Sequence, residues 1–214
     1  MKRKVTAKET ILRKVRDASH KPYERNTLHV DWDKNVFVVP EENPLVVFAE
    51  NLVKAGGKFV YCKNENDFKL KLLALLDERN WINPAVHSPG IGQILEELNV
   101  IYTSSIPVPI DTKVGIGGCD FLIARLGSVI VSSWSSPGRQ IHSYPEIHIV
   151  VAKASQVVND TGIALKELRK KYSVDFPSQV TIITGPSRTA DIEKTLVMGA
   201  HGPKELIVFL ILDV

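Results

Sequence analysis

The chain reads as an α/β protein: an open, mostly parallel sheet with helices on both faces, preceded by an N-terminal helical extension. Two observations predict this. Between residues 58 and 103, apolar runs of strand length alternate with stretches of helical periodicity, the β-α-β-α-β rhythm of a parallel sheet with crossover helices. Residues 180–184 (VTIIT) and 206–212 (LIVFLIL) are continuously apolar or β-branched, as strands covered on both faces are.

The elements follow in order. Residues 6–18 place Ile11, Leu12 and Val15 on one side and charges on the other, which predicts a helix. Nine cations crowd the first 25 positions: Lys2, Arg3, Lys4, Lys8, Arg13, Lys14, Arg16, Lys21 and Arg25. A solvated face accounts for them, and no interleaved aromatics support stacking on nucleic acid. An apolar run at 36–39 ends at Pro40. Pro44 opens a helix over 45–55, which Gly56-Gly57 stops. Residues 58–62 (KFVYC) form a strand, and Asn66 or Asp67 caps the leucine-rich helix that follows. Residues 85–87 and 100–103 are short strands on either side of a helix begun at Ser88-Pro89.

Beyond Pro109 the pattern changes. Residues 115–118 (GIGG) read as a glycine-rich turn, 120–125 as a short helical run and 128–132 as a strand. Residues 147–151 form a strand, 159–172 a helix and 192–196 one or two helical turns. The expected organisation is an extension over residues 1–30 and a single α/β domain over 31–214.

Composition narrows the function. With 214 residues and a net charge of +3, the chain has ordinary globular makeup and buries roughly 70% of its unfolded surface. Its two cysteines, Cys62 and Cys119, stand in unrelated contexts. They exclude a disulfide framework and supply too few thiolates for an iron–sulfur cluster. The N-terminus has no apolar core of a secretory signal, and the run at 206–212 is too short to span a bilayer. A soluble intracellular protein, with no membrane span and no nucleic-acid partner, is therefore expected.

Three polar stretches are poorly explained by packing. In GIGGCD, Gly115, Gly117 and Gly118 would let backbone amides approach an anion, with Asp120 beside them. The spacing fits neither a dinucleotide fingerprint nor a Walker A loop, and a structural turn is an equal reading. In GPSRTAD, after an apolar strand, Ser187 and Thr189 offer hydroxyls and Arg188 a planar fork for carboxylate or phosphate. Asp191 would orient Arg188, although a capped turn with a surface ion pair explains the same residues. His201, framed by glycine, is a turn residue or a group able to act as acid, base or ligand. His142, Glu146 and His148 are grouped but match no metal-binding signature, so neither metal nor cofactor is assigned. The serines at 132, 133, 135 and 136 lack a nucleophile elbow.

Two of these segments carry a resemblance. GIGGCDFLIARLGSVIV resembles the glycine-rich segment, and TIITGPSRTADIEKTLVMGAHGPKELIVFLI the C-terminal signature, of the lactate-utilisation protein C family, also called LUD-domain proteins. The clear match covers about the last hundred residues. It implies a fold similar to the NagB/RpiA/CoA-transferase-like group. It also implies a cytoplasmic role in oxidising L-lactate to pyruvate beside companion proteins, at least one of which carries iron–sulfur clusters. Where the family commonly has Glu-Thr-Gly-Thr, this chain has Arg125-Leu126-Gly127-Ser128, so a carboxylate becomes a cation.

Three functions remain open. One is a non-redox subunit or accessory factor of lactate oxidation that binds a small anion between Gly115, Gly117, Gly118 and Asp120 on one wall and Ser187, Arg188, Thr189 and Asp191 on the other, completed by His201. The second is a stand-alone CoA-transferase-like or sugar-phosphate-isomerase-like enzyme using Asp120 or Asp191. The third is an interaction module for iron–sulfur partners that uses the basic helix. Oligomeric state is not readable.

Overall fold

The computed structural model describes residues 6–19, 42–135, 140–190, 196–199 and 201–213. The apolar run at 36–39, Asp191 and residues 192–195 of the expected helical turn lie outside the described residues. The chain divides into two compact units, Met1–Val38 and Val39–Val214. In the first, α1 (Ala7–Ser19) buries none of its residues, and Ile11, Leu12 and Val15 are exposed. Glu9 holds its first turn by accepting from the Thr6 backbone N–H at 2.8 Å.

The second unit opens with α2 (Pro44–Lys54). Pro44 suits the first turn, and the Asn43 side chain caps it by accepting from the Leu45 N–H at 3.0 Å. Strand β1 (Lys58–Cys62) leads to α3 (Glu65–Glu78), whose cap is Asn64 rather than the expected Asn66 or Asp67. The Asn64 side chain reaches the Asp67 N–H, and Asp67 turns back to accept from the Lys63 N–H. Strand β2 (Ala85–Val86) and α4 (Pro89–Glu97) follow. The strand expected at 100–103 reduces to one bridge between Thr103 and Ala85.

Then come β3 (Val114–Gly118), β4 (Phe121–Ile123), β5 (Ser128–Ser132), β6 (Ile147–Lys153) and β7 (Val157–Val158). Helix α5 (Thr161–Lys171) precedes β8 (Val180–Ile183), β9 (Arg188–Ala190), β10 (Leu196–Met198) and β11 (Glu205–Ile211). Leu196 is thus strand, not the end of a helical turn.

Five strands form an all-parallel sheet in the order β1-β11-β6-β3-β2. One face carries Ile116, Ile149 and Phe209 and packs on Phe68 and Leu72 of α3 and Leu95 of α4. The other carries Val150, Val208 and Leu210 and packs on Phe48 and Leu52 of α2. Each of these buried side chains contributes about 1.5–3 kcal/mol. Helices therefore cover both faces, as expected.

The second face also meets a separate four-stranded sheet, β7-β4-β5-β8, through Leu122, Val129 and Val131. The expected open parallel sheet is the five-stranded one, and this second layer adds to it. VTII does not run beside LIVFLI. As β8 it forms the edge of the smaller sheet, where Ile182 is 42% exposed. The short helical run expected at 120–125 is likewise β4 followed by a single 3-10 turn at Ala124–Leu126.

The GIGG segment is also corrected: it is strand β3, not a turn. Gly115 pairs with His148, and Gly117 with Val150, on the face turned toward the smaller sheet. A β-carbon on Gly115 would stand 2.4 Å from the Ile141 carbonyl oxygen and 2.9 Å from Pro145 Cγ. Glycine is required here because the loop after β5 lies directly on the strand.

Candidate functional site

A cavity of about 220 Å3 opens between the two sheets. Its floor is His148 and Leu206, the second residues of β6 and β11, which pair in register. Its opposite wall is Thr181, Ile182 and Ile183 of β8. Gly185 and Ser187 close one end, His201, Gly202 and Pro203 a second side, and His142 and Ser143 the third. A second recess of about 410 Å3 shares Ser143, His201 and Gly202 and is rimmed by Glu146 and Lys204.

Backbone bonds hold these loops together. The Ser187 N–H donates to the Pro203 carbonyl at 2.8 Å, and the Gly199 N–H donates to the Ser187 carbonyl at 3.0 Å. The Lys204 N–H donates to the Glu146 carbonyl at 2.7 Å. A side chain on Gly202 would press on Ser187 Cβ at 3.2 Å, so the two chains approach closely only because Gly202 has none. At Gly185 φ is +69°, and an added Cβ would lie 2.2 Å from the Ala55 carbonyl oxygen.

The chemistry centres on His148. It is 1% exposed, and its Nδ1 has no hydrogen-bond partner among the described residues. Burial, aided by the neighbouring His142, lowers its pKa to about 3, so it is neutral at physiological pH. The His142 ring stands 6.2 Å away, and burial lowers its pKa too. Two uncharged imidazoles thus face one another beside hydroxyls. Among the described residues no group of three His, Cys, Asp or Glu side chains is placed to hold a metal ion. Glu146 instead pairs with Lys204 at 3.3 Å.

The structure separates the residues expected to converge. Ser187 and His201 line the cavity, and Gly115 pairs with His148 of its floor. Gly117 lies further along β3, while Gly118 ends the strand opposite Val151, three positions beyond His148 and about 10 Å farther along the sheet. Asp120 is buried in a different cluster: its Oδ1 accepts from Lys171 Nζ and from the Tyr172 hydroxyl, each at 2.7 Å. Burial pushes its pKa up, but these partners, with the hydroxyls of Ser132 and Ser135, outweigh burial and hold it low. It lies in a cluster apart from the cavity lining, and its Oδ2 has no hydrogen-bond partner among the described residues.

Arg188 also turns away. Its Nη2 donates to the Ala55 carbonyl at 2.7 Å, at the C-terminal end of α2, over Gly56. A cation there complements the helix dipole. Thr189 lies on β9 opposite Val197.

Sequence reasoning noted His142 and His148 only as potential metal ligands. The available signal was a histidine within a run, residues 147–151, whose neighbours are all apolar. An inward-facing polar side chain there calls for a partner. A further crevice, about 170 Å3 between His87, Ser88 and Tyr102, lies at the β2 edge, where His87 Nε2 bonds the Ser105 carbonyl at 3.1 Å.

The fold and site together define an α/β protein with a histidine-lined cavity between two sheets. Residues 110–211 match the model of the LUD domain, and this chain belongs to the LUD-domain family. It is 36% identical over 104 residues to the lactate utilization protein C of Geobacillus kaustophilus, an alignment covering 47% of this chain and 43% of that protein. With the lactate utilization protein C of Geobacillus sp. strain WCH70 it is 35% identical over 168 residues, 77% of this chain and 66% of the other. The chain thus spans from under half to about two thirds of the length of these relatives. Its fold is shared with the crystal structure of a DUF162 family protein from Deinococcus radiodurans, at TM-score 0.60 and 16% identity, covering 78% of this chain and 96% of that one.

Proposed function

We propose that this chain serves lactate utilisation as a non-redox accessory subunit of L-lactate oxidation to pyruvate in the cytoplasm, and that its cavity holds a small carboxylate-bearing ligand. The relatives' names supply the process. The observation that carries the ligand reading is the orphaned Nδ1 of His148, buried in a cavity closed by Ser187 and His201. These two belong to the GPSR and HGP stretches of the C-terminal signature.

Two features support an accessory role. Burial raises the pKa of Cys62 and of Cys119, so both thiols stay protonated at neutral pH and are poor ligands or nucleophiles. Electrons would then pass through iron–sulfur companions, not through this chain. The described cavity lining also holds no carboxylate, and Asp120 is committed to Lys171, which disfavours a transferase or isomerase acting through these residues. Among the described residues, no helix is long and apolar enough to cross a membrane.

The test is calorimetric titration of the purified chain with L-lactate, pyruvate, inorganic phosphate and coenzyme A. Saturable binding of a carboxylate, lost in Ser187→Val and weakened in His201→Ala, is expected. Absence of heat with all four would overturn the ligand reading.

A further inference from the structure

We propose that the cavity takes up a small 2-hydroxy or 2-oxo acid in net-neutral form, the carboxylate accompanied by one proton held on the facing His148 and His142 imidazoles. This rests on the carboxylate reading above and adds the charge state in which the ligand enters.

The argument starts from what faces His148. From the loop after β5 comes His142, and from the loop before β11 comes His201. Thr181, Ile182 and Ile183 of β8, Leu206 of β11 and Gly115 of β3 bring no charge. Glu146 and Lys204 belong to the rim of the adjoining recess and pair with each other at 3.3 Å. Among the described residues the lining therefore contains neither a lysine nor an arginine. Arg188, the cation that sequence alone would place here, donates to the Ala55 carbonyl instead.

An anion entering such a space loses water and meets no fixed positive charge among the described residues of the lining, which is strongly unfavourable. A hydrogen ion taken up with it removes the penalty. His148 is built to receive one. Its Nδ1 has no bond to break among the described residues, it stands 1% exposed, and the empty protein keeps it neutral. Placing a carboxylate within a few ångströms reverses the balance, because an opposite charge favours the protonated ring. A 2-hydroxy or 2-oxo acid fits because its second oxygen can engage Ser187 or Ser143 while its short carbon body lies on Ile182 and Leu206. About 220 Å3 has room for a molecule of that size.

The sign follows directly. The empty site carries little of the proton above about pH 3, and the filled site carries more, so binding consumes a proton and strengthens as pH falls. The experiment titrates the full chain with L-lactate and with pyruvate at pH 6, 7 and 8. Each pH is run in two buffers of different ionisation enthalpy, which counts protons directly. Both acids stay ionised in solution throughout this range, their carboxyl groups titrating at about pH 4 or below. Uptake approaching one proton per ligand is expected, with affinity rising as pH falls toward the limit of tenfold per pH unit. Lactamide, which carries no charge, should bind without proton uptake. His148→Gln should flatten the pH profile, and the wild-type proton count stands even if that variant folds poorly. Binding of either acid with no proton uptake and a flat profile overturns this inference but leaves the carboxylate site intact. No binding of either acid at any pH overturns both.

Discussion

Gly115 shows how one missing methyl group organises the site. Its pairing with His148 puts any side chain at that position between β3 and the loop carrying His142. Alanine there meets the Ile141 carbonyl at 2.4 Å, a contact that backbone cannot relieve without moving. Gly115→Ala is therefore expected to cost about 1–3 kcal/mol, which for this chain length lowers the melting temperature by roughly 2–10 °C. It should also weaken lactate binding, since His142 moves with the loop. Gly117→Ala is the contrast, because its β-carbon finds only Ile141 Cγ2 at 3.8 Å, an ordinary contact. Thermal melts of both variants decide the matter: equal losses would show that loop packing is not what Gly115 serves. The sequence marked these glycines as unusual but assigned them to a turn, because the Ile141 backbone that needs the space lies 26 positions away in the chain. Ser187 and His201 were legible as polar residues flanking apolar strands. Asp120 was legible as chemistry but not as structure, since its partner Lys171 lies 51 positions on.

Among the elements, most strands and helices were readable from periodicity and caps, but their division into separate sheets was not. A run such as VTII has the same composition whether it lies at the centre of one sheet or the edge of another. What separates the outcomes is cross-strand pairing, here Val129 with Ile183 and Ser132 with Val180. The position of β8 in turn sets the path of the next loop. Gly185 turns at positive φ against Ala55, and Arg188 lands on the C-terminal end of α2. The side chain that best matched an anion by type thus ties two elements together. Arg188→Ala should cost about 1 kcal/mol or less, the value of one charge-assisted bond at an exposed site. Its effect on lactate affinity should stay under about threefold. Arg188→Lys should recover only part of the stability, because an ammonium lacks the planar fork that lies over Gly56. Melting temperature and affinity measured on the same samples separate the two roles. An affinity loss of tenfold or more with unchanged melting would return Arg188 to the ligand.

Across the second unit, the parallel sheet draws its edges from residues 58–86 and its centre from residues 114–211. β1 and β2 flank β11, β6 and β3, so the earlier elements are completed only when residues 114–211 are present. The cavity belongs to this late-arriving centre, formed by β6, β8, β11 and the loops between them. The described lining comes from the second unit, and Met1–Val38 forms a unit of its own. There, α1 is amphipathic yet buries none of its residues, and a 13-residue helix without packing is marginal in water. Its apolar stripe of Ile11, Leu12 and Val15 therefore gains most of its stability from whatever covers it. These facts argue for a division of labour, with ligand chemistry in the second unit and association in the first. A chain beginning at Val39 should keep the far-ultraviolet signature of an α/β fold, melt cooperatively and bind lactate within about threefold of the full chain. The same truncation should reduce recovery of iron–sulfur companion proteins in a pull-down, as should Leu12→Glu with Val15→Glu in the full chain. Companions recovered in undiminished amount from both would assign association to the α/β unit, and a truncated chain that fails to bind lactate would tie the first unit to the cavity after all.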